Sequence, residues 1–367
     1  MHCRTFTNRR TARRGFTLVE LLTVIAIIGI LVGLLIPAVG AIRRSVRLSS
    51  FSMEVKAIEQ AVEQFKNKYG DYPADGSDIG RFTRVMSKAF PNMAATEIPL
   101  LVSVCNFSNG SPRGVMDPAE ALVFFLGGFS EDPAYPISGP GGPIFILNSA
   151  GVQVNSSAPV ASRASIQYNS TRNNPLYDFG QGDLAIEVAG GLTVSNDEAQ
   201  IVGGTNDLMP TYSLSGTIAP IVYFDSNSYA YNTSSIRYFN HYQPAAASGL
   251  GGVARPYKTD EIATTIQHPG SPMNLPQWER ADTHFKYAND NSFQLICASL
   301  DEDYGGVAQS GAYPVFYRFT TGAALDIADP TGGSGFSRYT EVSGEPSAQL
   351  DNVVNFADST LENAIDQ

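Results

Sequence analysis

The sequence is short of charge, of cysteine and of histidine, and each shortage excludes something. Only 16% of its 367 residues are Asp, Glu, Lys or Arg, against about a quarter in an average soluble domain. Gly, Ser, Asn and Thr take up the difference, a composition that fits an extracytoplasmic, loop-rich, β-containing body. The three cysteines, Cys3, Cys105 and Cys297, form no CxxC and no Cys/His zinc spacing. Cys105 and Cys297 can pair in an oxidising compartment, but two buried thiols are the favoured reading. The four histidines, His2, His241, His268 and His284, are scattered, with no HExxH. There is no GxSxG and no phosphate-binding glycine loop. Acids are plentiful, yet nothing marks two of them as a catalytic pair. These absences argue against an enzyme.

Positive charge is scarce everywhere except at the start. The net charge is −11, and the first 15 residues contain five arginines (Arg4, Arg9, Arg10, Arg13, Arg14) and no acid. Without them, 19 basic residues face 35 acidic ones, a net of −16. Such a body is a poor partner for nucleic acid, whose phosphates need Lys and Arg. It suits cations or a basic protein surface.

After the arginines comes one long apolar run. Residues 16–36 contain a single ionisable side chain, Glu20. A helix of about 20 residues crosses a bilayer, and the preceding arginines place the N-terminus in the cytoplasm with the body on the far side. A cleaved secretory signal is the competing reading, with Ala38-Val39-Gly40 as its small-x-small site. The run is longer than the usual apolar region of such signals, it contains Glu20, and the helical pattern continues beyond Gly40. Retention is therefore favoured.

The stretch Arg13-Arg14-Gly15-Phe16-Thr17-Leu18-Val19-Glu20-Leu21-Leu22 and the apolar residues after it resemble the class III signal of type IV pilins and type II secretion pseudopilins. That resemblance implies cleavage between Gly15 and Phe16 by a prepilin peptidase, then N-methylation of Phe16. It makes Glu20 the assembly residue, facing the freed amine of Phe16 on a neighbouring subunit. An intramembrane carboxylate is functional by default, with a partner to be named. In an isolated monomer the same carboxylate can instead reach the headgroups. Gly29 and Pro37 match the helix-weakening positions of the mature stem. The resemblance further implies pilin or pseudopilin subunits as partners, in homo- and hetero-oligomers. It implies a bacterial inner-membrane location, with a single span and a periplasmic body, before entry into a filament.

Beyond Pro37 the residues Phe51, Val55, Ile58, Val62, Phe65 and Tyr69 recur every three or four positions, an apolar stripe on one helix face. Gly70 and Pro73 stop the helix. A helix from about Thr17 to Tyr69 is about 80 Å long. The expected division is a leader at 1–15, a transmembrane stem at 16–37, an amphipathic outer stem at 38–72 and a body at 73–367, with a variable β and loop insertion at about 129–280. The expected fold class is α+β, a stem helix packed on a β-rich body in the lollipop form of pilins. Lys68-Tyr69-Gly70-Asp71-Tyr72-Pro73 resembles the turn that closes the stem in major pseudopilins.

In the body, Asp117-Pro118-Ala119-Glu120 reads as a capped helix start, ended by Gly127. Residues 143–147, 184–188 and 221–224 read as strands. The tyrosines Tyr223, Tyr229, Tyr231, Tyr238 and Tyr242 are read as half-buried strand residues rather than as a sugar-binding surface. Residues 291–306 resemble a strand and acidic loop of major pseudopilins, with Phe293, Leu295 and Cys297 on one strand face. In that family a nearby loop binds calcium through oxygen ligands, which makes Asp301, Glu302, Asp303, Asp326 and Asp329 candidates. Leu300 and the Asp301-Glu302 pair depart from the family pattern, and a solvated acidic turn is an equal reading. The tail, Leu350 to Phe356 and Thr360 to Glu362, resembles the close of large pseudopilin-like chains. Two functions fit: a structural filament subunit, or a minor or tip subunit whose enlarged body recognises a substrate or partner.

Overall fold

The computed structural model describes residues 17–105, 114–189, 191–196, 208–232, 237–244, 250–262, 285–305, 309–310, 313–314, 316–317, 319, 324–325, 352–357 and 360. The chain divides into two compact units, Met1–Arg47 and Leu48–Gln367. A single helix, α1 (Leu18–Tyr69, 52 residues), runs through the boundary. It is followed by a mixed α/β body with antiparallel sheets.

Among the described residues of the first unit, no side chain is buried. Every large apolar side chain from Leu18 to Ile36 is 46–78% exposed. A helix of this length and composition can cross a membrane. Helix α1 continues through Pro37, whose ring nitrogen cannot donate to the Gly33 carbonyl one turn back.

In the second unit, α1 supplies the stripe read from the sequence. Phe51, Val55, Ile58, Val62 and Phe65 are buried, and Tyr69 is half-buried. The helix stops where expected: Gly70 has φ +82° and donates to the Lys66 carbonyl at 2.7 Å, a backbone turn that suits glycine. Lys88 adds a bond to the Gly70 carbonyl at 2.6 Å. Phe65 lies edge-on to Phe125, at the centre of an aromatic group that includes Phe82 and Phe124.

Two helices were not foreseen, α2 (Ile79–Ala89) and α3 (Glu97–Val104). Asp78 caps α2 by accepting from Gly80 N at 2.9 Å. The expected helix at 117–127 is shorter, α4 (Ala121–Leu126). Its capping residues do meet as read: Glu120 accepts from Asp117 N at 2.7 Å, and Asp117 from Ala119 N at 2.8 Å.

The body's first sheet has order β2-β1-β3, from β1 (Ile144–Asn148), β2 (Gln153–Val154) and β3 (Arg163–Tyr168). A hairpin, β4 (Ile186–Ala189) and β5 (Leu192–Ser195), comes next. A second three-stranded sheet places strand Phe293–Cys297 between β6 (Val222–Asp225) and Val353–Val354. Strand Phe293–Cys297 differs from expectation, since all five residues are buried rather than alternate ones. Gln294 pairs inside: its amide accepts from Tyr257 N and donates to the Tyr257 and Ala288 carbonyls. Tyr223, Tyr229 and Tyr242 are buried too, more deeply than the expected half-burial. Cys105 and Cys297 are buried and are not joined in a disulfide.

A buried polar network joins the residues just after α1 to the second sheet. Arg81 on α2 donates through Nε to Asp225 Oδ2 at 2.5 Å, and through Nη1 and Nη2 to Asp71 at 2.9 and 3.0 Å. Asp75, also buried, accepts from five donors: Ser77 N, Ser77 Oγ, Asp225 N, Ser228 Oγ and Asn240 Nδ2. Burial, then the Asp225 charge, pushes the Asp75 carboxyl up to about 6 against these donors. Its folded value lies above the unfolded 3.8. Stability from this group is therefore full below about 3.8 and lost as pH rises through about 6.

His241 has the opposite sign. Burial, then the Arg255 charge, pushes it down to about 4, so its contribution is present above the unfolded value and lost as pH falls. Only a comparison isolates Asp75. Between pH 7.5 and 5.5, the stability of the full chain in detergent minus that of Asp75→Asn is expected to grow by about 1 kcal/mol. Parallel pH profiles for the two proteins would refute the assignment.

Candidate processing and assembly site

The site lies at the start of α1. Gly15 and Phe16, the residues of the expected cut, fall outside the described residues. Glu20 is described, and it already has a partner. Thr17 N and Thr17 Oγ1 both donate to Glu20 Oε2 at 2.8 Å. Glu20 N donates back to Thr17 Oγ1 at 3.2 Å. This is a capping box, in which residue and cap satisfy each other's orphaned backbone groups at a helix start. Thr17 is thus a site residue that sequence reading missed, although the Thr-x-x-Glu spacing of Thr17-Leu18-Val19-Glu20 is its signal.

Glu20 is exposed, like its neighbours on every face of the helix. One carboxylate therefore sits on an otherwise uncharged apolar cylinder. Such a group is expensive in hydrocarbon unless it is paired. The capping box satisfies one of its oxygens with neutral donors, and among the described residues no cation is paired with it.

Gly29 lies on an open helix surface, where a Cβ would meet nothing within 4 Å. Space within the chain therefore does not require a glycine there. At the other end of the first unit, Arg43, Arg44 and Arg47 are exposed.

In the acidic turn, carboxylate oxygens accept backbone N–H groups. Asp301 Oδ1 accepts from Asp303 N at 3.0 Å, and Asp303 Oδ1 from Gly305 N at 2.7 Å. Glu302 Oε1 accepts from Ile218 N at 3.2 Å. Among the described residues, no group of three or more His, Cys, Asp or Glu side chains is placed to hold a metal. Asp326 and Asp329 lie outside the described residues.

The prokaryotic N-terminal methylation motif matches residues 10–36. The motif covers Arg10, Arg13 and Arg14, the expected cut, Glu20 and the apolar run together. This segment carries the N-terminal methylation motif of the type IV pilin and pseudopilin family. No curated protein and no solved structure matches the chain. The pilin-like assignment thus rests on the N-terminal segment, while the body is described by its own structure.

Proposed function

We propose that this pilin-like chain is a structural subunit of a type IV pilus-like or type II secretion pseudopilus filament. A prepilin peptidase cuts between Gly15 and Phe16 and Phe16 is N-methylated. The stem then leaves the inner membrane to pack against other stems, and Glu20 pairs with the Phe16 amine of a neighbour. No catalytic step belongs to this reading.

The supporting observation is the fully exposed apolar helix from Leu18 to Ile36 with its one carboxylate, inside the methylation motif. Lipid covers such a surface in the monomer, and other stems cover it in a filament. The amine exists only after the cut, so cleavage itself creates the partner that offsets the Glu20 charge. This makes processing and assembly one sequence of events.

A second reading, a minor or tip subunit that binds a substrate or partner, draws on the size of the unit Leu48–Gln367. It also draws on a cleft of about 240 Å³ lined by Tyr168, Arg172, Tyr177 and Phe179. Quantifying the chain in purified filaments separates the two. As the main structural subunit it dominates the fibre by mass. A trace at filament ends supports the binding reading, and absence from fibres contradicts both.

A further inference from the structure

We infer that Arg43, Arg44 and Arg47 form a second orientation signal that opposes the N-terminal arginines, so that the charge of the leader decides on which side of the membrane the body lies. Basic residues within about 15–20 positions of a span bias its orientation, and they favour the cytoplasmic side. Residues 1–15 hold five arginines and no acid. Residues 37–51, just past the run, hold three arginines and no acid. Both flanks therefore pull toward the cytoplasm, and the N-terminal flank leads by two charges.

The helix makes the outer three act together. Helix α1 is unbroken from Leu18 to Tyr69, and all three side chains are exposed on it. Arg47 is four positions from Arg43 and three from Arg44, which puts the guanidinium groups on one face. Arg43 is seven residues past Ile36, about 10 Å along the axis. The patch therefore lies where a span's flanking charge is felt, at the level of the headgroups.

Leader removal reverses the contest. Without residues 1–15 no arginine remains before the span, against three after it. The processed stem has the charge pattern of the inverted orientation. It keeps its orientation because the folded body cannot recross the bilayer. Insertion must therefore precede the cut. Only this last step rests on the proposed processing. The opposed signals themselves derive from the flanks.

The test uses the full chain in bacteria lacking prepilin peptidase, so that the leader stays attached. Protease protection in spheroplasts reports the side of the body, and immunoblotting of membranes reports its amount. R9Q/R10Q/R13Q/R14Q leaves one arginine before the span against three after it, and most of the protease-accessible body is expected to be lost. Adding R43Q/R44Q/R47Q to that variant is expected to restore it. An N-terminal variant that keeps its body outside, or a stem variant that restores nothing, overturns the inference. In peptidase-positive cells the N-terminal mass is read separately. An uncut chain whose orientation still tracks the charge balance refutes the processing and upholds the opposed signals.

Discussion

Glu20→Ala and Glu20→Gln are both expected to abolish incorporation into the proposed filament, with the chain still inserted, cut at the proposed site after Gly15 and folded. The pair of variants is chosen because the carboxylate has two separable tasks. In the single chain it accepts from Thr17 in the capping box, which a glutamine oxygen can also do. In the proposed filament it supplies a charge to a neighbour's amine, which glutamine cannot. If the cap were its whole purpose, Glu20→Gln would assemble like wild type. Filament yield by sedimentation and microscopy, with unchanged thermal unfolding as the folding control, reads the difference. Filaments from Glu20→Gln would remove the charge pair from the account.

Arg81→Met destabilises the body by about 3–5 kcal/mol, because it strands carboxylates that the structure buries around a guanidinium. Asp225 is fully buried, Arg81 is 6% exposed and Asp71 is 26% exposed. Burial favours the neutral form of Arg81, but its hydrogen bonds and charge contacts with Asp71 and Asp225 hold its pKa above the ordinary value. In the variant the buried Asp225 has no cation and must take up a proton or unfold the loop around it. For a body of this size the expected loss in Tm is roughly 6–15 °C, measured on the full chain in detergent. Replacing Asp225 by Asn in the same chain should recover part of it, since the stranded charge is then gone. A Tm within about 2 °C of wild type for Arg81→Met would show that the cluster is solvated and weak.

The parts of the fold that were legible in the sequence are those with a local cause. The stripe from Phe51 to Tyr69 repeats with the helix period and is buried or half-buried in that order. Gly70 ends α1 because its backbone is left-handed there. The caps around Asp117 and Glu120 obey a spacing of three residues. Helices α2 and α3 escaped because polar residues sit at their core positions. Arg81 and Glu97 are buried, and each is satisfied by groups far along the chain. Arg81 reaches Asp225, 144 positions away. Glu97 accepts from Ile137 N and Ser138 N, about 40 positions away. No local pattern encodes such pairs. Gln294 misled in the same way, as a polar residue that looked outward and is buried.

At the site, the charge and the motif were legible and the geometry was only partly so. Glu20 stood out as a lone acid in an apolar run. Its bond to Thr17 depends on where α1 begins, which a continuous apolar run does not fix. At the acidic turn a resemblance suggested calcium and the residues alone a solvated turn; oxygens of Asp301, Glu302 and Asp303 accept three described backbone N–H groups, and Asp326 and Asp329 lie outside the described residues.

The central claim is that the chain is processed at Gly15 and then assembled through its stem. Mass spectrometry of the N-terminal peptide of the membrane-extracted protein tests it most directly. The account predicts a peptide beginning with N-methylated Phe16, and an uncut chain in cells without the peptidase. A terminus near Ala41, or an intact leader in peptidase-positive cells, would contradict it.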